Sequence, residues 1–183
     1  ALVPRMETEQ MVGQILDRFS ESFDGHVVDL GTGTGAILLS LCNALEHSIG
    51  TGFDKSQNAI ELARENLRGK ICENRVRFEL MDWNDLTPKT LGDSIHLVVS
   101  NPPYLTEHEW SDSMPEVWEH DPKSALVAEE NGLADIFKVI EVSSILLVKG
   151  GLFVMEIGKG QAKKIEDQVK LFYSRFEFSK DLH

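Results

Sequence analysis

The segment 100–104, with the sequence SNPPY, has the residue types of a rigid polar contact site. It follows the apolar run 95–99 (IHLVV), which predicts a buried strand. The two prolines end that strand, and the residue before a proline is excluded from the helical region, so Asn101 is held extended. Its carboxamide, the carbonyl of Pro102 and the ring of Tyr104 would suit a planar NH2 group attached to a conjugated system. The alternative is a proline-rich turn with a capping asparagine.

A glycine-rich loop, residues 29–35 with the sequence DLGTGTG, lies upstream between a predicted strand and a predicted helix. Glycines let the backbone approach a ligand closely, and a helix N-terminus favours a negative group. The spacing is GxGxG, whereas dinucleotide-binding loops have GxGxxG, so the loop suits the small carboxylate of an amino-acid-like ligand better than a pyrophosphate. The alternative is a tight strand-to-helix turn without a ligand. The candidate ligand contacts are Asp29, Gly31, Thr32, Gly33 and Gly35.

Two further acidic positions follow predicted strands. Asp54 lies about 20 residues after the last glycine of the loop, a spacing at which a carboxylate meets the two hydroxyls of a ribose. Asp82 and Trp83 would offer an acceptor to an adenine amino group and an apolar wall to its ring. Carboxylates also suit a positively charged sulfonium ligand. The alternatives are a helix cap beside Ser56 for Asp54, and a turn acid beside a core tryptophan for the pair Asp82 and Trp83.

Strands and helices alternate along the chain, which predicts an α/β fold with a doubly wound, mostly parallel sheet and helices on both faces. Ligands of such sheets bind at the carboxyl ends of the strands, where all these candidates lie. We expect a single domain over residues 1–183. The predicted strands are 27–30, 49–53, 76–80, 97–100 and 151–157, with 175–179 beginning a sixth, and the predicted helices are 6–19, 36–45, 56–68, 133–148 and 161–173.

The composition limits the classes of partner. The net charge is −12, which argues against a domain that holds nucleic acid by its phosphates and suits a basic protein partner or a cationic ligand. The six histidines form no pair with metal-ligand spacing, so we expect no metal site. No apolar run reaches membrane length and the start has no signal-peptide pattern. Two cysteines without disulfide spacing indicate an intracellular protein.

Together these features describe a pocket for S-adenosylmethionine with the NPPY loop facing its methyl group. The chain resembles the HemK/PrmC family, which methylates the glutamine side chain of translation release factors. Residues 2–9 (LVPRMETE) resemble the family's LIPRPETE opening, and 29–36 resemble its DLGTGTGA loop. The pair 82–83, the NPPY loop, 121–126 (DPKSAL) and 132–136 (GLADI) match as well. NPPY alone is shared with adenine-amino methyltransferases, whereas NPPY together with PRxETE is much more specific.

The resemblance implies a Rossmann-like, class I S-adenosylmethionine-dependent enzyme that methylates N5 of the glutamine in a release factor's Gly-Gly-Gln loop. It assigns catalysis to Asn101, Pro102 and Tyr104, and substrate contacts to Glu7, Pro103 and Tyr104. It assigns the methyl donor to the loop residues, Asp54, Asp82, Trp83 and Asn101. Stable nucleic-acid binding and a membrane location are not expected, and the compartment would be bacterial cytosol or an organelle such as the mitochondrion.

The sequence departs from the family's pattern at three points. Met6 replaces a proline, and Asp121 replaces a glutamate. The family's N-terminal helical domain and its last strand have no counterpart, so we expect a catalytic domain only. Three other functions remain open: an adenine-amino methyltransferase acting on nucleic acid, a non-catalytic module that binds the donor or a partner, and, on weaker grounds, a dehydrogenase. A basic stripe beside the NPPY loop would favour the first, and donor binding without turnover the second.

Overall fold

Five strands of the chain form one parallel sheet with the order β3-β2-β1-β4-β5. The computed structural model describes residues 6–20, 22–91, 94–112 and 123–180. The strands are β1 (His26–Leu30), β2 (Ile49–Asp54), β3 (Val76–Leu80), β4 (Ile95–Ser100) and β5 (Leu147–Met155). All of the pairings are parallel. The predicted doubly wound sheet is therefore confirmed.

Long helices connect the strands in the order that the sequence predicts. They are α1 (Met6–Leu16), α2 (Ala36–Ala44), α3 (Gln57–Leu67), α4 (Ala134–Leu146) and α5 (Ala162–Phe172). The Oγ of Ser56 accepts a hydrogen bond from the backbone N–H of Ala59 and so caps α3. Short helical turns cover Trp83–Asp85, Pro88–Leu91, Glu107–Ser111, Lys123–Ala125 and Glu129–Gly132. Among the residues described, no helix combines the length and the apolar character that a membrane crossing requires.

Both faces of the sheet are covered, because side chains alternate across it along each strand. Val27 and Leu97 pack into a core cluster with side chains of α1, α2 and α3. Their neighbours Val28 and Val98 point to the opposite face and pack against side chains of α4. A third cluster joins α4 to α5. The central strands are thus buried on both sides, which fixes their ends as a rigid platform.

The edge formed by the carboxyl ends of the strands contains a topological switch point. The chain leaves β1 toward β2 and β3, and then returns to place β4 on the other side of β1. Parallel sheets bind ligands in the crevice that such a reversal creates. Leu30, the last residue of β1, is level with Phe53 of β2 and with Ser100 of β4. The next residues on these strands, Gly31, Asp54 and Asn101, therefore lie side by side at the crevice.

The fifth strand, predicted over 151–157, runs over Leu147–Met155, and two further stretches differ from the sequence prediction. Residues 175–179, predicted to begin a sixth strand, pair with no strand in the described structure; instead Ser179 hydrogen-bonds Gln14, and Arg18 forms an ion pair with Glu177. Residues 105–130, for which the sequence predicts neither a helix nor a strand, contain the helix Glu107–Ser111, which begins with a capping box of Thr106 and Glu109. That T-x-x-E signal was present in the sequence.

Candidate functional site

The glycine loop after β1 has a backbone that side chains would strain. Gly31, Gly33 and Gly35 have φ values of 73°, 55° and 78°, the left-handed region that favours glycine. A Cβ on Gly35 would lie 2.6 Å from the ring of Phe78, and one on Gly31 would lie 2.9 Å from the ring of Trp83. A Cβ on Gly33 would meet nothing within 4 Å. The loop is therefore packed from below at its two ends and open to a ligand at its centre.

Asp29, the fourth residue of β1, is a fully buried carboxyl group beneath this loop. Its Oδ2 accepts a hydrogen bond of 2.7 Å from the Oγ1 of Thr32, and its Oδ1 has no hydrogen-bond partner among the described residues. Burial raises the pKa of Asp29 to about 7, the bond from Thr32 opposes that rise, and the nearby Asp54 adds to it. The group is thus an acceptor whose charge changes near neutral pH.

Asp54 braces the glycine loop from the end of β2. Its Oδ2 accepts the backbone N–H of Gly33 at 2.9 Å, and its Oδ1 accepts the backbone N–H of Ser56 at 2.8 Å. The helix cap of α3 is Ser56 and not Asp54. An ionised carboxylate oxygen accepts more than one hydrogen bond, so each oxygen retains a lone pair for a ligand hydroxyl. The geometry is compatible with the predicted contact to a ribose diol.

Asp82 and Trp83 form the next side of the crevice, after β3. The Oδ1 of Asp82 accepts hydrogen bonds from the backbone and side-chain nitrogens of Asn84, at 2.8 and 2.7 Å, and caps the turn Trp83–Asp85. The Trp83 side chain is buried in the core cluster that includes Val28 and Val98. Its ring lies against Gly31, so the wall that the sequence predicts is next to the loop.

Two charged residues that sequence reasoning missed lie beside this wall. The Nζ of Lys55 is 5.9 Å from the centroid of the Trp83 ring. Asp135, in the first turn of α4, has its pKa raised by burial; the charge of Lys55 lowers it, and those of Asp82 and Glu129 raise it further. Asp135 lies in the GLADI segment, which was quoted for its resemblance and given no role.

The NPPY loop begins where β4 is tied to β1. The buried Ser100 donates its hydroxyl to the carbonyl of Leu30 at 2.7 Å, and this bond holds the end of β4 against the start of the glycine loop. Pro102 is buried, and Asn101, Pro103 and Tyr104 are half-buried. The glycine loop, predicted to bind the methyl donor, and the NPPY loop, predicted to bind the methyl acceptor, are therefore adjacent.

The Glu156 carboxylate, directly after β5, connects this loop to α1. It accepts hydrogen bonds from the Nδ2 of Asn101 at 3.0 Å, the Oγ1 of Thr8 at 2.9 Å and the hydroxyl of Tyr104 at 3.3 Å. The residues predicted from the sequence lie at the ends of the first four strands, whereas Glu156 lies at the end of the fifth. Thr8 was inside the LVPRMETE segment, but the predicted contact was its neighbour Glu7.

Gln161 secures the same loop through backbone groups. Its Nε2 donates to the carbonyls of Tyr104 at 2.9 Å and Gly132 at 3.2 Å, and its Oε1 accepts the N–H of Gly158 at 2.7 Å. Gly132 has a φ of 80°, and a Cβ there would lie 2.3 Å from the carbonyl oxygen of Tyr104. One buried carboxamide thus joins the loop after β4, the start of α4 and the loop after β5.

Several predicted contacts stay predictions. The backbone of Glu7 belongs to α1, but its side chain is outside the described residues, as are Asp121 and residues 2–5. Beyond the NPPY loop, the Nζ of Lys123 lies 4.8 Å from the ring centroid of Trp110. The predicted donor and catalytic positions that the structure brings to one edge of the sheet are Asp29, Gly31, Thr32, Gly33, Gly35, Asp54, Asp82, Trp83, Asn101, Pro102, Pro103 and Tyr104.

Comparison with known families decides the classification of this architecture. Residues 11–129 match the methyltransferase small domain family. The chain belongs to that family. The matched residues of this methyltransferase small domain run from α1 to the turn before α4, and so include the glycine loop, the Asp82–Trp83 pair and the NPPY loop.

The curated relatives confirm the resemblance drawn from the motifs. Three proteins named release factor glutamine methyltransferase are 41% identical over 160 residues (Vibrio cholerae), 37% over 168 (Bacillus cereus) and 34% over 183 (Enterococcus faecalis). The alignments cover 87%, 90% and 99% of this chain, and 54%, 58% and 64% of the relatives. The chain therefore spans little more than half the length of these curated relatives.

Solved structures agree on the fold. A predicted O-methyltransferase from Agrobacterium tumefaciens superposes with a TM-score of 0.63 at 19% identity, covering 89% of this chain and 66% of that one. A putative rRNA methylase from Clostridium thermocellum superposes with a TM-score of 0.62 at 18% identity, covering 93% of this chain and 83% of that one. A Geobacter sulfurreducens methyltransferase in complex with S-adenosyl-L-homocysteine superposes with a TM-score of 0.54 at 17% identity, covering 84% of this chain and 48% of that one. At these identities the likeness establishes the class I methyltransferase fold alone.

Proposed function

We propose that this chain transfers a methyl group from S-adenosylmethionine to the side-chain amide of a glutamine in the Gly-Gly-Gln loop of a peptide chain release factor. The observation that carries the proposal is the position of Asn101 beside Gly31 at the switch point of the sheet. The names of the curated relatives support the same acceptor. They are bacterial, which favours the bacterial cytosol over an organelle as the compartment.

The residues at the crevice fit the proposed donor. The centre of the glycine loop is open at Gly33, so a ligand carboxylate could approach the backbone there. Asp54 retains lone pairs for a ribose diol, and Trp83 offers an apolar face to a purine ring. The carboxylates of Asp54 and Asp82 favour a cation at this edge, and the buried Asp29, whose pKa is raised to about 7, adds to this when it is ionised. S-adenosylmethionine supplies an electrophilic methyl group on a positively charged sulfur when it is bound.

The NPPY loop fits the proposed acceptor. An amide nitrogen is a weak nucleophile because its lone pair is delocalised into the carbonyl. The side-chain oxygen of Asn101 and the carbonyl of Pro102 would accept its two N–H bonds, orient the nitrogen toward the methyl carbon and stabilise the positive charge that develops on it. Tyr104 would pack against the amide plane. Prolines at 102 and 103 keep this arrangement rigid.

The proposed step needs no co-reactant. A nitrogen–carbon bond forms between the glutamine amide and the methyl group as the carbon–sulfur bond breaks, and the bonding electron pair returns to sulfur. A proton then leaves the alkylated nitrogen for solvent. A strong base is not required before the transfer, because the nitrogen sheds its proton only after its lone pair has been used.

The first prediction tests the role of Asn101. Asn101→Ala should still bind S-adenosylmethionine, because the glycine loop, Asp54, Asp82 and Trp83 remain, but it should lower kcat by roughly 100-fold, as the loss of one pre-organised transition-state contact does. Titration calorimetry measures the affinity, and intact-mass spectrometry of a purified release factor measures the addition of one methyl group. Asn74→Ala is the matched control, because Asn74 is exposed in the turn before β3, at the opposite edge of the sheet.

The substrate is tested in the same assay. A release factor whose Gly-Gly-Gln glutamine is replaced by alanine should gain no methyl group. Methylation of that variant, or full activity of Asn101→Ala, would contradict the proposal. Methylation of adenine in an oligonucleotide, with none of the release factor, would establish the nucleic-acid alternative instead. Donor binding without methylation of either acceptor would leave the non-catalytic module as the function.

A further inference from the structure

We propose that Glu156 is a positioning residue that sets the polarity of the acceptor site. By taking the NH2 end of the Asn101 carboxamide, it leaves the Oδ1 of Asn101 as the atom presented to the substrate. This inference rests on the proposed function, because it concerns how the same site selects its acceptor. No motif in the sequence marks Glu156, and its contacts with Thr8, Asn101 and Tyr104 appear only in the folded chain.

The chemistry of the pair supports one orientation of Asn101. An ionised carboxylate only accepts hydrogen bonds, whereas a carboxamide has one donating end and one accepting end. The Nδ2 of Asn101 lies 3.0 Å from the Oε2 of Glu156. Rotating the amide by half a turn would place two acceptor oxygens against each other and lose a charge-assisted bond. A glutamate in this position therefore selects between two orientations that have the same shape.

The carboxylate is itself held in place. The backbone N–H of Glu156 donates to the carbonyl of Ser100 at 3.0 Å, so Glu156 and Asn101 start from the paired ends of β5 and β4. Thr8 of α1 donates to the same Oε2, and the Tyr104 hydroxyl donates to Oε1. Besides Asn101, a donor on α1 and a donor in the NPPY loop thus hold the Glu156 carboxylate, which gives the Asn101 side chain a fixed acceptor to bind.

The consequence is a site that presents acceptors to the substrate. Prolines 102 and 103 have no N–H, so the loop contributes the carbonyl of Pro102 and the Oδ1 of Asn101 and no backbone donor between them. Two acceptors match a nitrogen that carries two N–H bonds, as in a primary amide. A hydroxyl group has only one hydrogen to donate, and a carboxylate has none. The polarity set by Glu156 therefore selects an NH2 acceptor against oxygen acceptors.

A reversal of the pair tests this. Glu156→Gln lets the amide at 101 adopt both orientations, and Asn101→Asp places two carboxylates in contact, so each should lower kcat by about 10- to 100-fold, as misplacement of a reacting group does. The double variant Asn101→Asp/Glu156→Gln restores a donor at 156 facing an acceptor at 101, and leaves an acceptor toward the substrate. Its kcat should be roughly tenfold higher than that of Asn101→Asp. The Kd for S-adenosylmethionine should change much less than kcat in all three variants.

A second readout does not require turnover. The side-chain NH2 resonances of Asn101 are assigned by their absence in Asn101→Ala, and the proton that faces Glu156 should be shifted downfield by its bond to a carboxylate. Glu156→Gln should remove that shift. Glu141→Gln is the matched control, because the Glu141 carboxylate pairs with Lys138 on α4 and not with the NPPY loop. It should leave the Asn101 resonances and kcat unchanged.

The outcomes separate the two proposals. Wild-type kcat, KM and Asn101 resonances in Glu156→Gln would overturn the role of Glu156, while the proposed function would stand on the loss of activity in Asn101→Ala. A double variant no more active than Asn101→Asp, with wild-type Asn101 resonances in Glu156→Gln, would overturn it as well. Full activity of Asn101→Ala would instead overturn the proposed function. Thermal denaturation of each variant distinguishes a lost orientation from a lost fold.

Discussion

Asp29 shows how burial gives a carboxyl group an unusual pKa. The side chain has no exposed surface, one hydrogen bond from Thr32 and an oxygen without a partner among the described residues. Its pKa rises from 3.8 to about 7, chiefly because burial penalises the charged form. Between these two values the folded chain holds a proton that the unfolded chain has released. The stability that this proton contributes is therefore lost as the pH rises from about 4 to 7.

This gives a prediction for Asp29→Asn, which removes the charge and keeps the shape. Between pH 5 and pH 8 the wild-type free energy of unfolding should fall by roughly 2–3 kcal/mol relative to that of the variant. Urea denaturation at each pH measures the difference. Asp167→Asn is the control, because Asp167 is fully exposed on α5. Parallel pH profiles for the wild type and Asp29→Asn would show that the buried carboxyl does not titrate in this range.

The sequence predicted residues such as Asp29, Asp54 and Asn101 because each one lies at or directly after the end of a strand. That property can be read from the local pattern alone. Glu156 and Thr8 were out of reach of this reasoning as partners of Asn101, since they lie 55 and 93 positions from it along the chain. Their contacts depend on the strand register and on the docking of α1, and a single sequence specifies neither explicitly.

At the scale of elements, the strand-to-helix turn after β1 is the part most constrained by geometry. The three glycines share a left-handed backbone but differ in what surrounds them. Gly35 lies against Phe78, which β3 brings up from two strands away, whereas Gly33 faces open space. The motif therefore combines two requirements. One glycine is needed so that the loop can pack on the sheet, and another so that a ligand can reach the backbone.

Alanine substitutions should separate these requirements. Gly33→Ala should lower the free energy of unfolding by about 1 kcal/mol, because alanine is strained in the left-handed region, and it should weaken donor binding. Gly35→Ala should cost about 2–5 kcal/mol, because the same backbone strain adds to a clash with Phe78. Chemical denaturation measures the loss of stability in each variant, and calorimetric titration with S-adenosylhomocysteine measures the loss of donor-site binding. Equal losses of stability in the two variants would show that the contact with Phe78 yields without cost.

The order of elements was predictable for a similar reason, because the short apolar runs of β1 and β4 and the helical periods between the strands are local signals. The position of residues 175–179 was not. Their alternation fits a strand, but a strand exists only when another strand pairs with it. In the described structure Ser179 instead hydrogen-bonds Gln14 of α1, and Glu177 pairs with Arg18 just after that helix. Pairing partners are a property of the whole sheet and are not encoded in five residues.

At the scale of the whole molecule, the proposed donor contacts come from the ends of four strands of one sheet. The glycine loop follows β1, Asp54 ends β2, and Asp82 and Asn101 follow β3 and β4. None of these contacts survives unfolding, because they are separated along the chain and meet only through the sheet. A ligand that binds this edge therefore binds the folded state alone, and its binding free energy adds to the stability of the fold.

The final prediction follows from this linkage. S-adenosylhomocysteine at 100 times its Kd should raise the free energy of unfolding by about 2.7 kcal/mol, and the Tm of a chain of this size by about 5–10 °C. Because Asp54 both braces Gly33 and retains lone pairs for the ligand, Asp54→Ala should abolish this increase, whatever its own Tm. Asp167→Ala should keep it. A nicotinamide dinucleotide should give no increase, because the GxGxG loop does not suit a pyrophosphate. An increase with the dinucleotide, or an undiminished one in Asp54→Ala, would place the ligand elsewhere than at the edge where these four strand ends meet.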